Sequence, residues 1–296
     1  MQAVKKVENS FLLHVLEQIK PGSIHDGFFC YFKKRLVMKT ENSIVSRLLR
    51  ASFTIGVNKK EIPFGNEDML IALIEILDTA IIVYDDIIDS DCEFHDEPAK
   101  LLLNIDCLIY STLDKILNIS DSKTFLYIFC NLKECINGEA ADVNLTLKPE
   151  ITEDIYFEKI VKKSTKLFRL YLLGYPAQRA IFGEIAEDIA ISFQIRNDVR
   201  NICGLLKSDI QKRKPSLPMI KAQEYAMVLN FNFDHHLNQF ISGTNRTSLL
   251  EFIDCSKSIE YCTFLCQYYR EKAMKQIKLH FDNHAEALIE LIIRRQ

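Results

Sequence analysis

The sequence has no tryptophan and only 9 glycines and 7 prolines in 296 residues. Glycine and proline stand at about half or less of their usual shares. A chain so poor in turn residues has few places to reverse, which excludes folds of many short strands and favours long helices. An excess of one charge is lacking too. Lys and Arg number 37 against 40 Asp and Glu, a net −3, so no broad basic field draws nucleic acid. The 9 cysteines are odd in number and form no C-x-x-C pair or zinc-finger spacing. Cys262 and Cys266 share one helix face, and free thiols in a reducing, cytoplasmic setting are expected. No secretory leader is read at the start. The longest apolar run, Met69 to Tyr84, is interrupted by Glu75 and Asp78. It is too short and too charged to span a bilayer, so a soluble protein without a transmembrane segment is expected.

What is present is a 48% hydrophobic, 26% charged chain, which excludes disorder. Its apolar residues recur at helical spacing. Phe11, Leu12, Val15, Leu16 and Ile19 make a first amphipathic stretch, ended by Pro21-Gly22; Ile44, Leu48, Leu49 and Phe53 make another, followed by a loop from Gly56 to Asn66. A long segment over 67–90 is apolar on most sides, as a buried helix would be. Further helices are expected over 99–118, 122–147, 153–182, 184–204, 216–230, 246–253, 256–278 and 283–295, with Pro149 and Gly183 at seams. Short seams between long helices imply antiparallel neighbours. The expected fold is all-α, a single helical bundle over 1–296. The run Lys33-Lys34-Arg35 reads as a solvated face, the histidines as surface or capping residues, and the Phe-rich stretch 229–240 as packing.

The chemistry concentrates in Tyr84-Asp85-Asp86-Ile87-Ile88-Asp89. Asp85 and Asp89 are four apart and share a helix face, with Asp86 beside them. Like charges at the end of an apolar run repel and are costly to desolvate, unless a cation sits among them. Mg²⁺ is commonly held this way, by one or two carboxylates plus substrate phosphates. A second set, Gln194 with Asn197, Asp198 and Asn201, again puts oxygens at i, i+1 and i+4, and the basic stretch Lys207 to Lys214 follows it. One acidic helix, one Asn/Asp helix and a basic loop suit a metal-bridged diphosphate.

In order along the chain, these segments resemble the motifs of the trans-isoprenyl diphosphate synthase (polyprenyl synthetase) family. Glu75-Ile76-Leu77-Asp78-Thr79-Ala80 followed by Asp85-Asp86-x-x-Asp89 resembles E-L-I-H-T-A and the first aspartate-rich motif. Gly138-Glu139-Ala140-Ala141-Asp142 resembles G-Q-x-x-D, and Lys163 to Phe168 resembles K-T-x-x-L-F. Phe193-Gln194-Ile195-Arg196-Asn197-Asp198 resembles F-Q-I-x-D-D, and Lys214-Pro215-Ser216-Leu217-Pro218 resembles G-K-x-T-L-P. The resemblance implies a helical bundle with a deep central cavity, usually dimeric, acting on an allylic prenyl diphosphate. It implies Asp85, Asp86 and Asp89 as Mg²⁺ ligands, joined by Asn197, Asp198 and Asn201. Lys163 and Lys214 become diphosphate contacts, and Gln194 the glutamine ahead of the second motif.

The departures bear on the reaction. After the first motif the family has R-R-G-x-P, whose arginine holds isopentenyl diphosphate; here the stretch reads Phe94-His95-Asp96-Glu97-Pro98. The G-G-K-R-x-R-P motif is reduced to Arg47 and Arg50. The expected activity is therefore prenyl transfer from an allylic diphosphate to another acceptor. The alternatives are a class I terpene synthase on the same scaffold, though Leu205 stands where that motif needs an acid, or a non-catalytic regulatory subunit. Ile81 and Ala80, at the fourth and fifth positions before the aspartate pair, are not the bulky aromatics that would limit the tail, which implies C15 or longer.

Overall fold

Few turn residues and long apolar periodicity give helix after helix, and no strand occurs among the described residues, which are 2–40, 44–55, 66–204, 208–281 and 285–293 of a computed structural model. In chain order the helices are α1 (Gln2–Gln18), α2 (Asp26–Thr40), α3 (Val45–Ile55), α4 (Glu67–Ile88), α5 (Pro98–Ile119), α6 (Ser122–Asn144), α7 (Glu153–Ile155) and α8 (Lys162–Tyr171). They continue as α9 (Arg179–Cys203), α10 (Ser208–Gln211), α11 (Leu217–Val228), α12 (Phe233–Ser242), α13 (Thr247–Cys255), α14 (Ser258–Phe281) and α15 (Ala285–Ile293). The loop expected over Gly56–Asn66 falls, apart from Asn66, outside the described residues, as do Leu205 and Lys207.

The contacts divide into two units. The first comprises Met1–Leu132, Arg169–Gly183 and Asn283–Gln296; the second comprises Lys133–Phe168 and Glu184–Asp282. In the first, α4 packs against α1, α2, α3 and α5, and α15 against α3. Burial of α4 on nearly every side from Leu70 to Ile81 accounts for its unbroken apolar character. The helix ends where Asp89 N–H bonds the Asp85 carbonyl and Ser90 turns left-handed at φ 61°.

In the second unit α11, α13 and α14 pack together, with α12 on α13 and α10. Their core includes Tyr156, Ile195, Ile220, Phe240 and Ile253. The helical run from Glu153 is uneven. Thr152 caps α7 by accepting from Ile155 N–H, a π-helical turn follows over Tyr156–Ile160, and α8 then begins.

Three features depart from the periodicity reading. The break expected at Gly183 lies instead before Arg179, and Gly183 is inside α9. Gly174 takes φ 51° with the Phe182 ring 2.4 Å from where a Cβ would stand, and Pro176 then blocks continuation of the helix. Helix α2 and helix α12 come in addition to the elements that periodicity indicates; α12 starts because Asn232 accepts from His235 N–H at 3.1 Å. All nine cysteines are free thiols. Among the described residues, no helix is long and apolar enough to cross a membrane.

Candidate functional site

In the first unit the buried rod of α4 delivers Asp85, Asp86 and Asp89 to partial exposure in its last turn and at its C-cap. Arg35, on α2, donates from a guanidinium nitrogen to Asp86 Oδ2. This is a different role from the solvated face expected of Lys33-Lys34-Arg35, although Lys33 does pair with Glu17 of α1. Burial pushes the Asp86 carboxyl above its ordinary range, aided by Asp85, Asp91 and Glu93 and opposed by Arg35.

One turn along α2, Lys39 lies between Glu75 and Asp78, with Nζ 2.9 Å from Glu75 Oε2. Ser46 donates its backbone N–H and its hydroxyl to Glu75 Oε1 at 2.8 and 2.5 Å, and Tyr171 OH donates to Asp78. Glu75 and Asp78 are 1% and 2% exposed. Burial alone would raise Glu75, but Lys39 and the two Ser46 donors outweigh it and hold the carboxyl below the usual range. Sequence reading missed Lys39 as a partner. The signal was there: two acids inside an apolar helix require a buried cation or donors.

The loop after the aspartates is aromatic where the family motif is basic. Phe94 packs edge-on to Phe28 at 5.8 Å and lies 5.6 Å from the Tyr31 ring, with His25 at 6.4 Å. Arg47 and Arg50 are exposed on α3, and Arg50 pairs at 2.6 Å with Asp68, in the first turn of α4. Asp68 is 17 residues from Asp85, about 26 Å along a helix axis. The structure thus does not bring Arg50 to the aspartates.

In the second unit, Gly138 explains why its motif needs glycine. A Cβ there would lie 2.5 Å from the backbone N of Lys163, so α6 and α8 cross at a separation only glycine permits. The crossing sets Lys163 Nζ 2.8 Å from Asp142 Oδ2 and 3.0 Å from Glu139 Oε2. Gly138→Ala is expected to destabilise the protein by about 3 kcal/mol, since backbone must move to admit the methyl; urea unfolding measures it, and a cost under about 0.5 kcal/mol would mean that the crossing is loose.

On α9, Gln194 and Asp198 share one hydrogen-bond network, and Asn201 bonds Asp209 beside it. Ser164 donates to Gln194 Oε1 at 2.7 Å, and Gln194 Nε2 donates to Asp198 Oδ1 at 2.9 Å. Tyr156 OH and the backbone N–H of Leu217 reach Asp198 Oδ2 at 2.8 and 3.0 Å. Asn201 donates to Asp209 Oδ1 at 3.1 Å, and Lys214, whose N–H bonds the Asp209 carbonyl, adds its charge there. Asn197 is exposed, whereas Asp198 is enclosed. Among the described residues no three His, Cys, Asp or Glu side chains group closely enough to hold a metal ion by themselves.

Burial raises Asp198 to about 7, although its three donors pull the other way. It raises Asp209 to about 6, against Lys214, Asn201 and Ser216. Folding thus favours their protonated forms, and the stability they contribute is full below about 4 and lost as pH rises through 6 and 7. Thermal unfolding from pH 4 to 8 should show this decline, with a smaller one in Asp198→Asn. A stability that instead rises across that window would contradict the burial argument.

No family model matches the chain. An all-trans-nonaprenyl-diphosphate synthase (geranyl-diphosphate specific) of Rhodobacter capsulatus is 26% identical over 253 residues, covering 75% of each chain. A geranylgeranyl pyrophosphate synthase structure from Lactobacillus brevis superposes with a TM-score of 0.83 at 16% identity, over 97% of this chain and 94% of that one. A polyprenyl synthase from Caulobacter crescentus, complexed with calcium and isoprenyl diphosphate, gives 0.77 at 15% identity over 98% and 94%. The fold is the all-α fold of the isoprenyl synthases. In motif order and over 75% of its length the chain is thus similar to trans-prenyl diphosphate synthases, at low identity.

Proposed function

We propose that the protein is a Mg²⁺-dependent prenyltransferase that ionises an allylic prenyl diphosphate and transfers the prenyl group to an acceptor. The observation that carries this reading is α4, a helix buried along most of its length that ends in three partly exposed carboxylates. Asp85, Asp86 and Asp89 offer the hard oxygens that Mg²⁺ takes while keeping waters and phosphate oxygens as its other ligands, and Asn197, Asp198 and Asn201 are the second set. The metal would neutralise charge on the departing diphosphate.

This chain's own residues do the rest. Lys163, held by Glu139 and Asp142, and Lys214 bind outer diphosphate oxygens. Ser164 and Asp198 orient the Gln194 amide. The allylic C–O bond breaks with both electrons leaving on pyrophosphate. The acceptor then bonds to the cationic carbon and gives up its proton to the departed pyrophosphate, and exclusion of water protects the cation meanwhile.

An aromatic cluster around Phe94, in place of two arginines, favours an acceptor other than isopentenyl diphosphate. The small Ala80 and the aliphatic Ile81 favour a tail of C15 or longer. A homodimer is part of the reading: Leu103, Tyr110 and Leu117, seven apart on α5, are 65%, 70% and 49% exposed. Free thiols suit a cytoplasmic enzyme.

The test is pyrophosphate release from geranyl, farnesyl or geranylgeranyl diphosphate with Mg²⁺, with and without isopentenyl diphosphate, and extraction of the organic products. Release from an allylic substrate supports the reading. A longer diphosphate formed only with isopentenyl diphosphate would overturn the acceptor assignment, and a hydrocarbon formed without any acceptor would favour the terpene synthase.

A further inference from the structure

From Asp85 to Glu97 the chain carries Asp85, Asp86, Asp89, Asp91, Glu93, Asp96 and Glu97, and no lysine or arginine. A diphosphate brought to such a stretch needs cationic help from elsewhere in the fold. Helix α2 supplies a cation at that place. Arg35 bonds Asp86, and the pair is partly open, with side chains 26% and 24% exposed.

Lys39 makes the contrast. It is one turn away on the same helix, yet it is clamped between two carboxylates that are almost wholly buried. Lys39 is therefore fixed in the packing and sets the register of α2 on α4, whereas Arg35 stands at the mouth of the same ladder and is able to exchange partners. Tyr31, one turn before Arg35, lies against Phe94 and within electrostatic reach of both Arg35 and Asp86, so an aromatic pair stands beside the ion pair. A guanidinium has five donors in a planar fork, enough to keep hold of a carboxylate while binding phosphate oxygens.

We infer that Arg35 is a diphosphate-binding residue that shares Asp86 with the divalent cation, yielding the carboxylate to the cation as its guanidinium takes up diphosphate oxygen. The inference rests on the diphosphate reading above and adds to it a residue outside the family motifs. It makes two predictions of opposite sign. Removing Arg35 removes a competitor for Asp86, so Mg²⁺ alone binds more tightly. The same change removes a phosphate donor, so pyrophosphate binds more weakly.

Calorimetric titration of Mg²⁺, and then of inorganic pyrophosphate at saturating Mg²⁺, separates these effects in wild type, Arg35→Gln and Arg35→Lys. The expected result for Arg35→Gln is Mg²⁺ affinity raised severalfold and pyrophosphate affinity lowered by about tenfold or more, the worth of a charge-assisted hydrogen bond. Arg35→Lys keeps the charge without the fork and should fall between. If wild type binds Mg²⁺ and pyrophosphate while Arg35→Gln changes neither, the Arg35 inference is overturned and the diphosphate reading stands. Loss of Mg²⁺ affinity in Arg35→Gln would also overturn it, since that is the mark of a purely structural residue. Failure of wild type to bind pyrophosphate with Mg²⁺ would sink the diphosphate reading and this inference with it.

Discussion

Lys39→Met should destabilise the protein by about 3–5 kcal/mol, the usual consequence of removing one partner from a buried ion pair. Glu75 and Asp78 lie inside α4 at 1% and 2% exposure, so neither can turn to water when the ammonium is lost. The Ser46 donors and Tyr171 OH remain, but they do not neutralise two carboxylates on successive turns. Methionine fills nearly the same volume, so the loss reports charge rather than a cavity. The urea midpoint should drop with little change in the slope of the transition. Adding Glu75→Gln and Asp78→Asn to Lys39→Met removes the orphaned charges and should recover a large part of the loss. A single-variant cost under about 1 kcal/mol would show that water reaches the pair.

The second large effect is on catalysis. Asp85→Ala should abolish pyrophosphate release, a fall of about a thousandfold or more, because electrostatic stabilisation of a leaving group is usually the largest single contribution to such a reaction. Asp85 sits at the partly exposed end of α4, beyond the buried stretch that holds Glu75 and Asp78, so the unfolding free energy should change by about 1 kcal/mol or less. Normal turnover in this variant would remove the aspartates from the mechanism. Loss of turnover together with stability would place Asp85 in the packing instead.

These two variants mark what the sequence reveals and what it hides. The aspartates are legible because an unbroken apolar helix ending in Asp-Asp-x-x-Asp violates ordinary patterning, and violations of that kind point to chemistry. Gly138, Lys163, Gln194 and Lys214 are legible through motif order. Their partners are less so. That Asp142 and Glu139 bracket Lys163 depends on a crossing between two helices, which spacing within either cannot disclose. Arg35 and Lys39 lie on a helix whose buried face is made by Phe28, Phe29, Phe32 and Leu36 amid a run of lysines, so local charge hid which cations turn inward. The enclosure of Asp198 by Tyr156, Gln194 and Leu217 is likewise a tertiary fact. The helix breaks at Gly174 and Pro176 rather than at Gly183, because a left-handed glycine followed by a proline stops a helix where a single glycine does not.

The π turn at Tyr156–Ile160 places one extra residue in its loop of chain. Each residue of an α-helix advances the side-chain direction by about 100°, so the insertion rotates everything after it by roughly that angle. Lys163 and Ser164 come immediately afterwards, and they face Asp142 and Gln194 in the rotated register. Deleting a single residue within the turn would leave the motif Lys163-Ser164-Thr165 spelled as before while aiming it elsewhere. In this part of the chain, side-chain direction is set by the residue count upstream as much as by residue identity. Relatives that keep the lysine but lack the extra residue would have to reach its position by a different path.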